Sequence, residues 1–420
     1  MNSGSVRSHA TLAFLFCTLV LLRISGASAQ PTAPEAGNPI ASSVRFTNGR
    51  NALGIPMEVM GGAVFVIATI NDSVNVTLHL DTGFGGDGVL LLNPDIGTTL
   101  GLAYVQKVTL GGAGTQRPSE ANVAVNATLS FPGVRFEGQP LIVATDTRLY
   151  DKVLWDGIVG RTIFGCVVEL DFERSVINLY DRLPRSSDSL GTEFQLTYSQ
   201  GVPVAECRAI LTGGSPLTGK FVVDTGVPFP LLLFQYADPR ITRPAQLLTV
   251  AGEGLNGYAE FPVGRIPALH LGPYTLPSPI AAFADSATMG PAVALEGMGM
   301  IGLGALERFH VVFDYPGNRL FLSPNCRFDI PFEFNMAGIT VLLSRDRSIE
   351  VYFVDANSPA AQAGIKKGDK LMAVNAQNVQ GVFFYRLFEK LFEAEGRELT
   401  LTLERDGRRF DSKLTLRRLI

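Results

Sequence analysis

Two copies of one tripeptide, each at the same distance from a second motif, are the feature of this sequence that most limits its fold. Asp-Thr-Gly occupies residues 81–83 and again residues 224–226, both times at the end of an apolar run. An aspartate followed by an aromatic residue comes 90 positions later in each half, at Asp171 and Asp314. One tripeptide is weak information, but two motifs repeated in the same order predict two related units of about 140 residues each.

A glycine-bounded apolar segment precedes the second motif in both halves. It reads Gly-Ile-Val-Gly at residues 157–160 and Gly-Met-Ile-Gly at residues 299–302. Short apolar runs of this kind are typical of buried strands, so we expect both segments to form core beneath the Asp-Thr-Gly loops. Abundant glycine (44) and proline (25) between many short apolar runs favour a turn-rich β protein over a helical bundle.

Two aspartates that meet face to face can share one proton. Two negative charges about 3 Å apart in a partly desolvated site cannot both form, so one carboxyl group keeps its proton near working pH. The number and order of the motifs resemble those of the pepsin and retropepsin superfamily of aspartic proteases, over roughly residues 50–325.

The resemblance implies a mostly β, bilobal fold of two pseudo-symmetric lobes, which we place at residues 45–182 and 193–326. It implies that Asp81 and Asp224 are catalytic, the ionised member taking a proton from water and the neutral member hydrogen-bonding the scissile carbonyl. No metal and no cofactor is required. The matched repeat and the short linker favour lobes that pair within one chain rather than between chains. The residues expected to support the pair are Thr82, Gly83, Thr225 and Gly226.

The sequence departs from the family pattern directly after each tripeptide. Phe84 and Val227 stand where pepsin-like enzymes carry a hydroxyl residue and retropepsins carry alanine. This difference removes one hydrogen bond to the pair. Asp87 is interpreted as a solvated turn residue, with a third carboxylate near the site as the alternative. His79, two residues before Asp81, is expected to be an edge side chain.

Glycine-rich turns offer candidates for flaps over such a site. Residues 111–114 form the candidate in the first half, and residues 252–257 form its counterpart in the second. Neither turn contains the tyrosine of pepsin flaps, although Tyr258 adjoins the second turn and Tyr104 precedes the first.

The sequence changes character after the second repeat. A short helix with a serine cap is predicted at residues 358–364. Apolar residues at helical spacing from Phe384 predict an amphipathic helix, and alternating strands follow at residues 397–405 and 410–416. This order resembles a bacterial PDZ domain, an α+β fold, over residues 335–420.

The PDZ resemblance implies a groove in which an extended peptide adds a strand beside residues 339–343. Backbone N–H groups around Ala337, Gly338 and Ile339 are expected to capture a terminal carboxylate. The implied partners are peptide or unfolded protein substrates and protein C-termini. The alternative is a module that only packs against the lobes.

The first 29 residues have the composition of a secretory signal. Arg7 precedes an apolar stretch at residues 10–22, and small residues end at Ala29, where we expect cleavage. This stretch is shorter than the ~20 residues that span a bilayer. We therefore expect a secreted or periplasmic protein without a membrane span. Residues 30–44 are proline-rich and aperiodic and predict a flexible lead.

The net charge bears on the expected partners, and the cysteines bear on disulfide and metal sites. The net charge of −4 falls to about −6 once the two arginines of the signal are removed, which argues against a nucleic-acid partner. Of the cysteines that remain, Cys207 and Cys326 either form a disulfide or stay free with Cys166, and no Cys-x-x-Cys metal motif is present.

Two functions are compatible with these observations. The first is a monomeric aspartic endopeptidase whose PDZ domain docks substrates. The second is a non-catalytic peptide-binding protein that keeps the two-lobed cleft, a function that the replacements at Phe84 and Val227 favour.

Overall fold

The structure is a computed structural model that describes residues 21–24, 43–289, 296–379 and 394–420. Within these ranges the chain forms 31 β-strands and four α-helices, and the longest helix has six residues. The prediction of a mostly β protein is confirmed. Most of the predicted signal and lead, and the amphipathic helix predicted from Phe384, lie outside the described residues.

The first half is built largely from strands that pair with their sequence neighbours. In chain order its elements are β1 (Leu21–Ile24), β2 (Ser43–Phe46), β3 (Asn51–Met60), β4 (Ala63–Ile70), β5 (Val74–Leu80), β6 (Val89–Leu91), α1 (Pro94–Thr99), β7 (Gln106–Gly111), β8 (Ser119–Phe131), β9 (Val134–Ala144), β10 (Gly157–Val159), β11 (Val167–Asp171) and β12 (Val176–Tyr180). Three residues join β4 to β5, and the first two of them, Asn71 and Asp72, have positive φ angles of 48° and 53°, the sign that type I′ turns require at both central positions.

Two strands of this half fall where other structure was expected. β1 lies inside the predicted signal and pairs antiparallel with β7. β2 pairs with β9, so the prediction of a flexible lead is wrong for residues 43 and 44. Hydrogen bonding to β9 fixes these residues despite their polar, aperiodic surroundings.

The second half repeats the same kind of construction. Its elements are β13 (Thr192–Gln195), β14 (Thr197–Ser199), β15 (Val202–Ile210), β16 (Pro216–Asp224), β17 (Leu231–Phe234), β18 (Leu248–Gly254), β19 (Gly257–Arg265), β20 (Ala268–Leu271), β21 (Tyr274–Pro277), β22 (Ile280–Ala284), α2 (Ser286–Met289), β23 (Gly299–Gly302), α3 (Leu303–Leu306), β24 (Phe309–Asp314) and β25 (Arg319–Pro324).

Both halves insert the glycine-bounded segment between the two strands that flank the Asp-Thr-Gly loop. β10 runs parallel to β5 and antiparallel to β6, and β23 runs parallel to β16 and antiparallel to β17. Every residue of β10 and β23 is buried, which accounts for their uninterrupted apolar sequence. The repeat in the sequence is therefore also a repeat in the structure.

One strand pair joins the halves: β11 and β24 run antiparallel from Val167 opposite Asp314 to Leu170 opposite Val311. Strands β12 and β3 extend this sheet on one side, and β25 and β13 extend it on the other. The first half thus contributes three strands to the joining sheet, and so does the second.

The buried side chain of Glu169, on β11, bridges this joint. Its Oε2 accepts hydrogen bonds from Asn178 Nδ2 (2.8 Å) and Tyr180 Oη (2.5 Å) on β12. Its Oε1 lies 2.6 Å from Nε2 of His310 on β24 and 3.2 Å from Nη2 of Arg185. These four contacts come from both halves and from the linker between them.

The C-terminal part has its own buried core and its own sheet. Its elements are β26 (Ile339–Leu343), β27 (Ile349–Val354), α4 (Pro359–Gln362), β28 (Lys370–Val374), β29 (Gln377–Asn378), β30 (Glu398–Arg405) and β31 (Arg408–Thr415), with strand order β26-β27-β28-β30-β31. Ser358 caps α4 by accepting a hydrogen bond from Ala361 N–H at 3.1 Å, as the sequence predicts.

Glu169→Gln is expected to destabilise the protein at pH 7 by about 2 kcal/mol, and by less as the pH falls. Burial opposes ionisation, but hydrogen bonds from His310, Tyr180 and Asn178 outweigh it and lower the pKa of Glu169 to about 2. A depressed pKa stabilises the folded state above the unfolded pKa near 4.5, and this stabilisation is lost as the pH falls toward 2. Urea unfolding at pH 7 and pH 3 measures the change.

The exposed Glu193 on β13 supplies the control for this measurement. Its salt bridge to Arg319 spans 3.8 Å with a side chain 44% exposed, so Glu193→Gln is expected to change stability by less than about 0.5 kcal/mol at either pH. A Glu169→Gln effect that is the same size at pH 3 as at pH 7 would contradict the prediction.

Candidate active site

Each Asp-Thr-Gly loop begins where a buried strand ends. Asp81 follows β5, and Asp224 is the last residue of β16. The glycine-bounded segments hold the loops in place. Asp81 N–H donates to Val159 O of β10 at 2.9 Å, and Leu303 N–H, directly after β23, donates to Val227 O at 2.7 Å. Each loop is therefore held by the core segment of its own half.

The two aspartates meet at the boundary between the halves, where both are fully buried. Gly83 N–H donates to Asp81 Oδ1 and Gly226 N–H donates to Asp224 Oδ1, each at 2.8 Å. Each glycine also faces the opposite carboxyl group. A Cβ on Gly83 would lie 2.7 Å from Asp224 Cγ, and one on Gly226 would lie 2.6 Å from Asp81 Oδ2. Such an approach leaves room only for glycine at the third position of each motif.

The two threonines tie the loops together reciprocally. Thr82 Oγ1 donates to Val223 O at 2.7 Å and accepts from Thr225 N–H at 2.9 Å. Thr225 Oγ1 donates to Leu80 O at 2.8 Å and accepts from Thr82 N–H at 3.0 Å. Four hydrogen bonds therefore cross the boundary next to the carboxyl groups. The structure brings together all six residues that the sequence assigned to this site: Asp81, Thr82, Gly83, Asp224, Thr225 and Gly226.

Burial raises the pKa of both aspartates. For Asp81 the charge of Asp224 and a hydrogen bond to it add to burial, and the pKa lies well above its usual range. Burial raises the pKa of Asp224 to about 6, against the opposing effect of the hydrogen bond from Asp81. Because two buried charges this close oppose each other, the pair favours one shared proton, and the two groups titrate as a unit.

The residues that depart from the family pattern fill space behind the pair. Phe84 and Val227 are fully buried, and their N–H groups donate to the carbonyl oxygen of their own motif's aspartate at 3.0 and 3.4 Å. Neither side chain supplies a hydroxyl group. Asp87 lies 3.6 Å from Nε of Arg161, with both side chains about one third exposed. Asp87 is thus the ion-pair partner of Arg161. Sequence reasoning missed Arg161, although it directly follows the first glycine-bounded segment.

His79 is not the edge side chain that we expected. β5 pairs with β4 on one side and with β10 on the other, so His79 lies on an interior strand and is fully buried. Its ring lies 5.5 Å from that of Phe65 and 5.9 Å from that of Trp155, measured between centroids. Burial lowers the pKa of His79 to about 3, so the imidazole is neutral.

The two flap candidates meet each other. We call the hairpin of β7 and β8 hairpin 1, and the hairpin of β18 and β19 hairpin 2. Asn256, at the tip of hairpin 2, donates from its N–H to Ala113 O and from Nδ2 to Gly112 O, both at 2.9 Å. Its carbonyl oxygen accepts from Gln116 N–H at 2.8 Å. Sequence reasoning missed these hydrogen bonds between the hairpins. The signal in the sequence was the Asn-Gly dipeptide at residues 256 and 257, which is typical of hairpin turns.

The hairpin tips also reach the first loop. Leu255, beside Asn256, belongs to the same buried apolar cluster as Phe84 and Leu110. Because neither Asp81 nor Asp224 exposes any surface, the structure is a closed form, and a ligand reaches the carboxyl groups only after a local opening.

The N–H groups proposed to capture a peptide carboxylate already have an acceptor. Asn335 Oδ1 accepts hydrogen bonds from Ala337 N–H at 3.0 Å and from Gly338 N–H at 2.9 Å. Ile339, the third residue of this set, begins β26 and pairs with Val354 on β27. A carboxylate can bind here only if it displaces the amide oxygen of Asn335.

The described ranges contain neither a metal-binding cluster nor a disulfide. No cluster of three or more His, Cys, Asp or Glu side chains there is arranged to hold a metal ion, and no helix there is long and apolar enough to cross a bilayer. Cys207 is buried, Cys326 is exposed, and both are free thiols, so the structure does not contain the disulfide considered above.

Asp224→Asn is expected to stabilise the protein at pH 7 by about 2 kcal/mol. A folded-state pKa raised above its usual value gives stability that is full below pH 4 and is lost as the pH rises through about 6. An amide does not ionise, so the variant escapes this loss. The gain should vanish at pH 4, which calorimetric melting at both pH values measures. The exposed Asp188→Asn is the control, and an Asp224→Asn variant less stable than wild type at pH 7 contradicts the prediction.

Comparison with known proteins bears on the C-terminal part. A family model described as a PDZ domain matches residues 350–405. This range lies within residues 335–420, where the order of predicted helices and strands predicts such a domain. No curated protein matches the chain. The chain therefore contains a PDZ domain, which follows two β-rich halves that carry a buried pair of aspartates.

Proposed function

We propose that the protein is an aspartic endopeptidase of bilobal, pepsin- or retropepsin-like fold, in which Asp81 and Asp224 activate water. One observation carries the proposal: the two carboxyl groups face each other across repeated halves, each against the glycine of the opposite loop. A turn or helix cap has no need of a second buried acid, and burying two carboxyl groups together costs free energy. A cost of this kind is characteristic of functional sites.

In the proposed reaction the pair begins with one proton. The ionised aspartate accepts a proton from a water molecule, and the protonated aspartate donates a hydrogen bond to the scissile carbonyl oxygen. The water oxygen attacks the carbonyl carbon, the carbonyl oxygen takes the proton of the protonated aspartate, and a tetrahedral diol forms. The C–N bond then breaks as the leaving nitrogen takes the proton that came from water and a diol hydroxyl returns its proton to the other aspartate. The products are a carboxylic acid and an amine, and the pair again holds one proton. The Oδ2 atoms of both aspartates accept no hydrogen bond from other described groups, which leaves them free for water and substrate.

The surroundings of the pair favour an extended peptide with apolar side chains near the cleaved bond. The buried cluster beside the first loop contains Phe84, Leu110, Trp155 and Leu255. When the hairpins separate, these side chains would line the opening, and apolar substrate side chains would recover the contacts that are lost.

We further propose a secreted or periplasmic monomer whose signal is cleaved after Ala29. Both acids come from one chain, so no second copy is needed to complete the pair. Cleavage would remove β1 and leave β7, a strand of hairpin 1, with an open edge.

The PDZ domain supports a docking role, because such domains bind extended peptides and protein C-termini by strand addition. β26 is the terminal strand of its sheet among the described residues, and its outer edge is the place for an added strand. Substrates held at this edge would be presented to the two-lobed part at raised local concentration.

A non-catalytic peptide-binding protein is the second candidate. The observation in its favour is that Phe84 and Val227 give the pair no hydroxyl hydrogen bond. In this case the cleft and the PDZ domain would bind peptides without cleaving them.

Asp81→Asn and Asp224→Asn are each expected to reduce cleavage of an unfolded protein substrate by at least about a thousandfold, because either amide prevents the shared-proton step. Cleavage is measured between pH 3 and 7 with and without a statine inhibitor, and folding is checked by circular dichroism. Asp188→Asn, an exposed acid, is the control and should retain wild-type rates. Activity that persists in either amide variant overturns the mechanism, and an inert wild-type protein favours the second candidate.

Asn335→Ala is expected to strengthen binding of a peptide with a free C-terminal carboxylate by about tenfold, because it releases two N–H donors. Fluorescence polarisation with a labelled peptide ending in an apolar residue measures the affinity. The same peptide with a C-terminal amide is the control and should bind weakly to both proteins. Equal binding of acid and amide would show that these N–H groups do not capture a carboxylate, and no binding of either would favour a module that only packs against the lobes.

A further inference from the structure

The PDZ domain contacts hairpin 2 at a buried acid. Glu253, near the tip of β18, is 2% exposed. Its Oε1 accepts a hydrogen bond from Tyr352 Oη of β27 at 2.5 Å and forms an ion pair with Nζ of Lys152 in the first half. One carboxylate therefore joins the first half, hairpin 2 and the PDZ domain, and a bond to a buried charge is among the stronger kinds of hydrogen bond.

Aromatic rings reinforce this contact. Tyr258, on the second strand of hairpin 2, lies with its ring centroid 5.6 Å from that of Tyr352. Nζ of Lys367, in the PDZ domain, lies 5.1 Å from the Tyr258 centroid and 5.0 Å from the Tyr352 centroid. Cation–π contacts at these distances are attractive, so hairpin 2 loses favourable contacts when it moves away from the PDZ domain.

A second contact fixes the PDZ domain to the first half. Arg345 donates from Nε to Tyr150 O at 3.0 Å and from Nη2 to Trp155 O at 2.7 Å. Its guanidinium carbon also lies 3.3 Å from the centroid of the Tyr150 ring, and Nη2 lies 3.4 Å from an oxygen of Asp156. The carbonyl groups and ring that bind Arg345 adjoin Lys152, which pairs with Glu253. The PDZ domain thus holds the same corner of the first half to which hairpin 2 is tied.

A third contact holds the base of hairpin 2. Thr249 N–H, near the start of β18, donates to Asp355 Oδ2 of the PDZ domain at 3.0 Å. Asp355 is itself positioned by its N–H donating to Gly338 O at 2.9 Å. Gly338 precedes β26, the terminal strand of the PDZ sheet, so the base of hairpin 2 is linked to the expected peptide-binding edge through two successive hydrogen bonds.

We infer that the PDZ domain is a lock on hairpin 2, which keeps the hairpins closed over the paired aspartates until the contacts of Tyr352, Lys367 and Asp355 are released. In this proposal both hairpins separate before a ligand reaches the buried carboxyl groups, and hairpin 2 stays in place while Glu253 and Thr249 are bonded to the PDZ domain. The resting protein is autoinhibited in this sense. The effect of the lock on turnover rests on the proposed function, whereas its effect on opening of the hairpins does not.

Hydrogen exchange of the full chain, followed by mass spectrometry, tests the lock without relying on catalysis. The variant is Tyr352→Phe, which removes the hydrogen bond to Glu253 and keeps the ring. Peptides that cover residues 112–118 and 252–258 should exchange about tenfold faster than in wild type, the size expected for one lost hydrogen bond to a buried charge. Arg345→Ala should accelerate the same peptides through the second contact. Tyr274→Phe is the matched control, since Tyr274 Oη donates to Leu322 O at 3.2 Å within the second half, and it should leave both peptides unchanged.

Peptides from the joining strands, residues 167–171 and 309–314, report on general destabilisation. Acceleration confined to the hairpin peptides supports the lock. Unchanged hairpin exchange in both variants overturns it, and so does acceleration that is equal in the joining strands. Where wild type cleaves protein, the same variants should raise the cleavage rate at low substrate concentration by a similar factor. If wild type and both unlocked variants are inert but hairpin exchange still rises, the lock stands and the proposed catalytic function fails.

Discussion

Two acid side chains that share one proton across the boundary of a repeated chain are the constraint to which most of this structure responds. The one buried charge needs compensation, and glycine N–H groups supply it by donating to the carboxyl oxygens. Reciprocal threonine hydrogen bonds hold the two loops together beside them. The glycine-bounded strands beneath fix the direction in which each loop emerges. Loss of any one of these elements would leave a buried charge without compensation.

Much of this arrangement was open to prediction because it depends on local chemistry that repeats. An acid followed by threonine and glycine has few roles at the end of an apolar run, and the constant spacing of Asp171 and Asp314 from the first acids tied each loop to its own core strand. The capped helix at Ser358 followed from side-chain preference alone. Such features need no knowledge of what lies far away in the sequence.

The features that were missed depend on contacts between distant segments. His79 has the polar character of an edge residue, and only the insertion of β10 beside β5 makes its strand an interior one. Asn256 and Glu253 look like ordinary hairpin residues until hairpin 1 and the PDZ domain are placed against them. Asn335 blocks the N–H groups of Ala337 and Gly338 through a side-chain contact that no periodicity indicates.

The pairing of β11 with β24 has a consequence for synthesis of the protein. Protein synthesis proceeds from the N-terminus at about 5–20 residues per second. Asp81 and the loop around it therefore leave the ribosome well before β24, the strand that pairs with β11, has been made. Asp224 follows Asp81 by 143 residues, so the first acid has no counterpart until that much more of the chain has been made. The sheet that joins the halves is completed later still, when β24 and β25 have left the exit tunnel and β24 has paired with β11. A nascent chain that ends before Asp224 therefore cannot contain the pair.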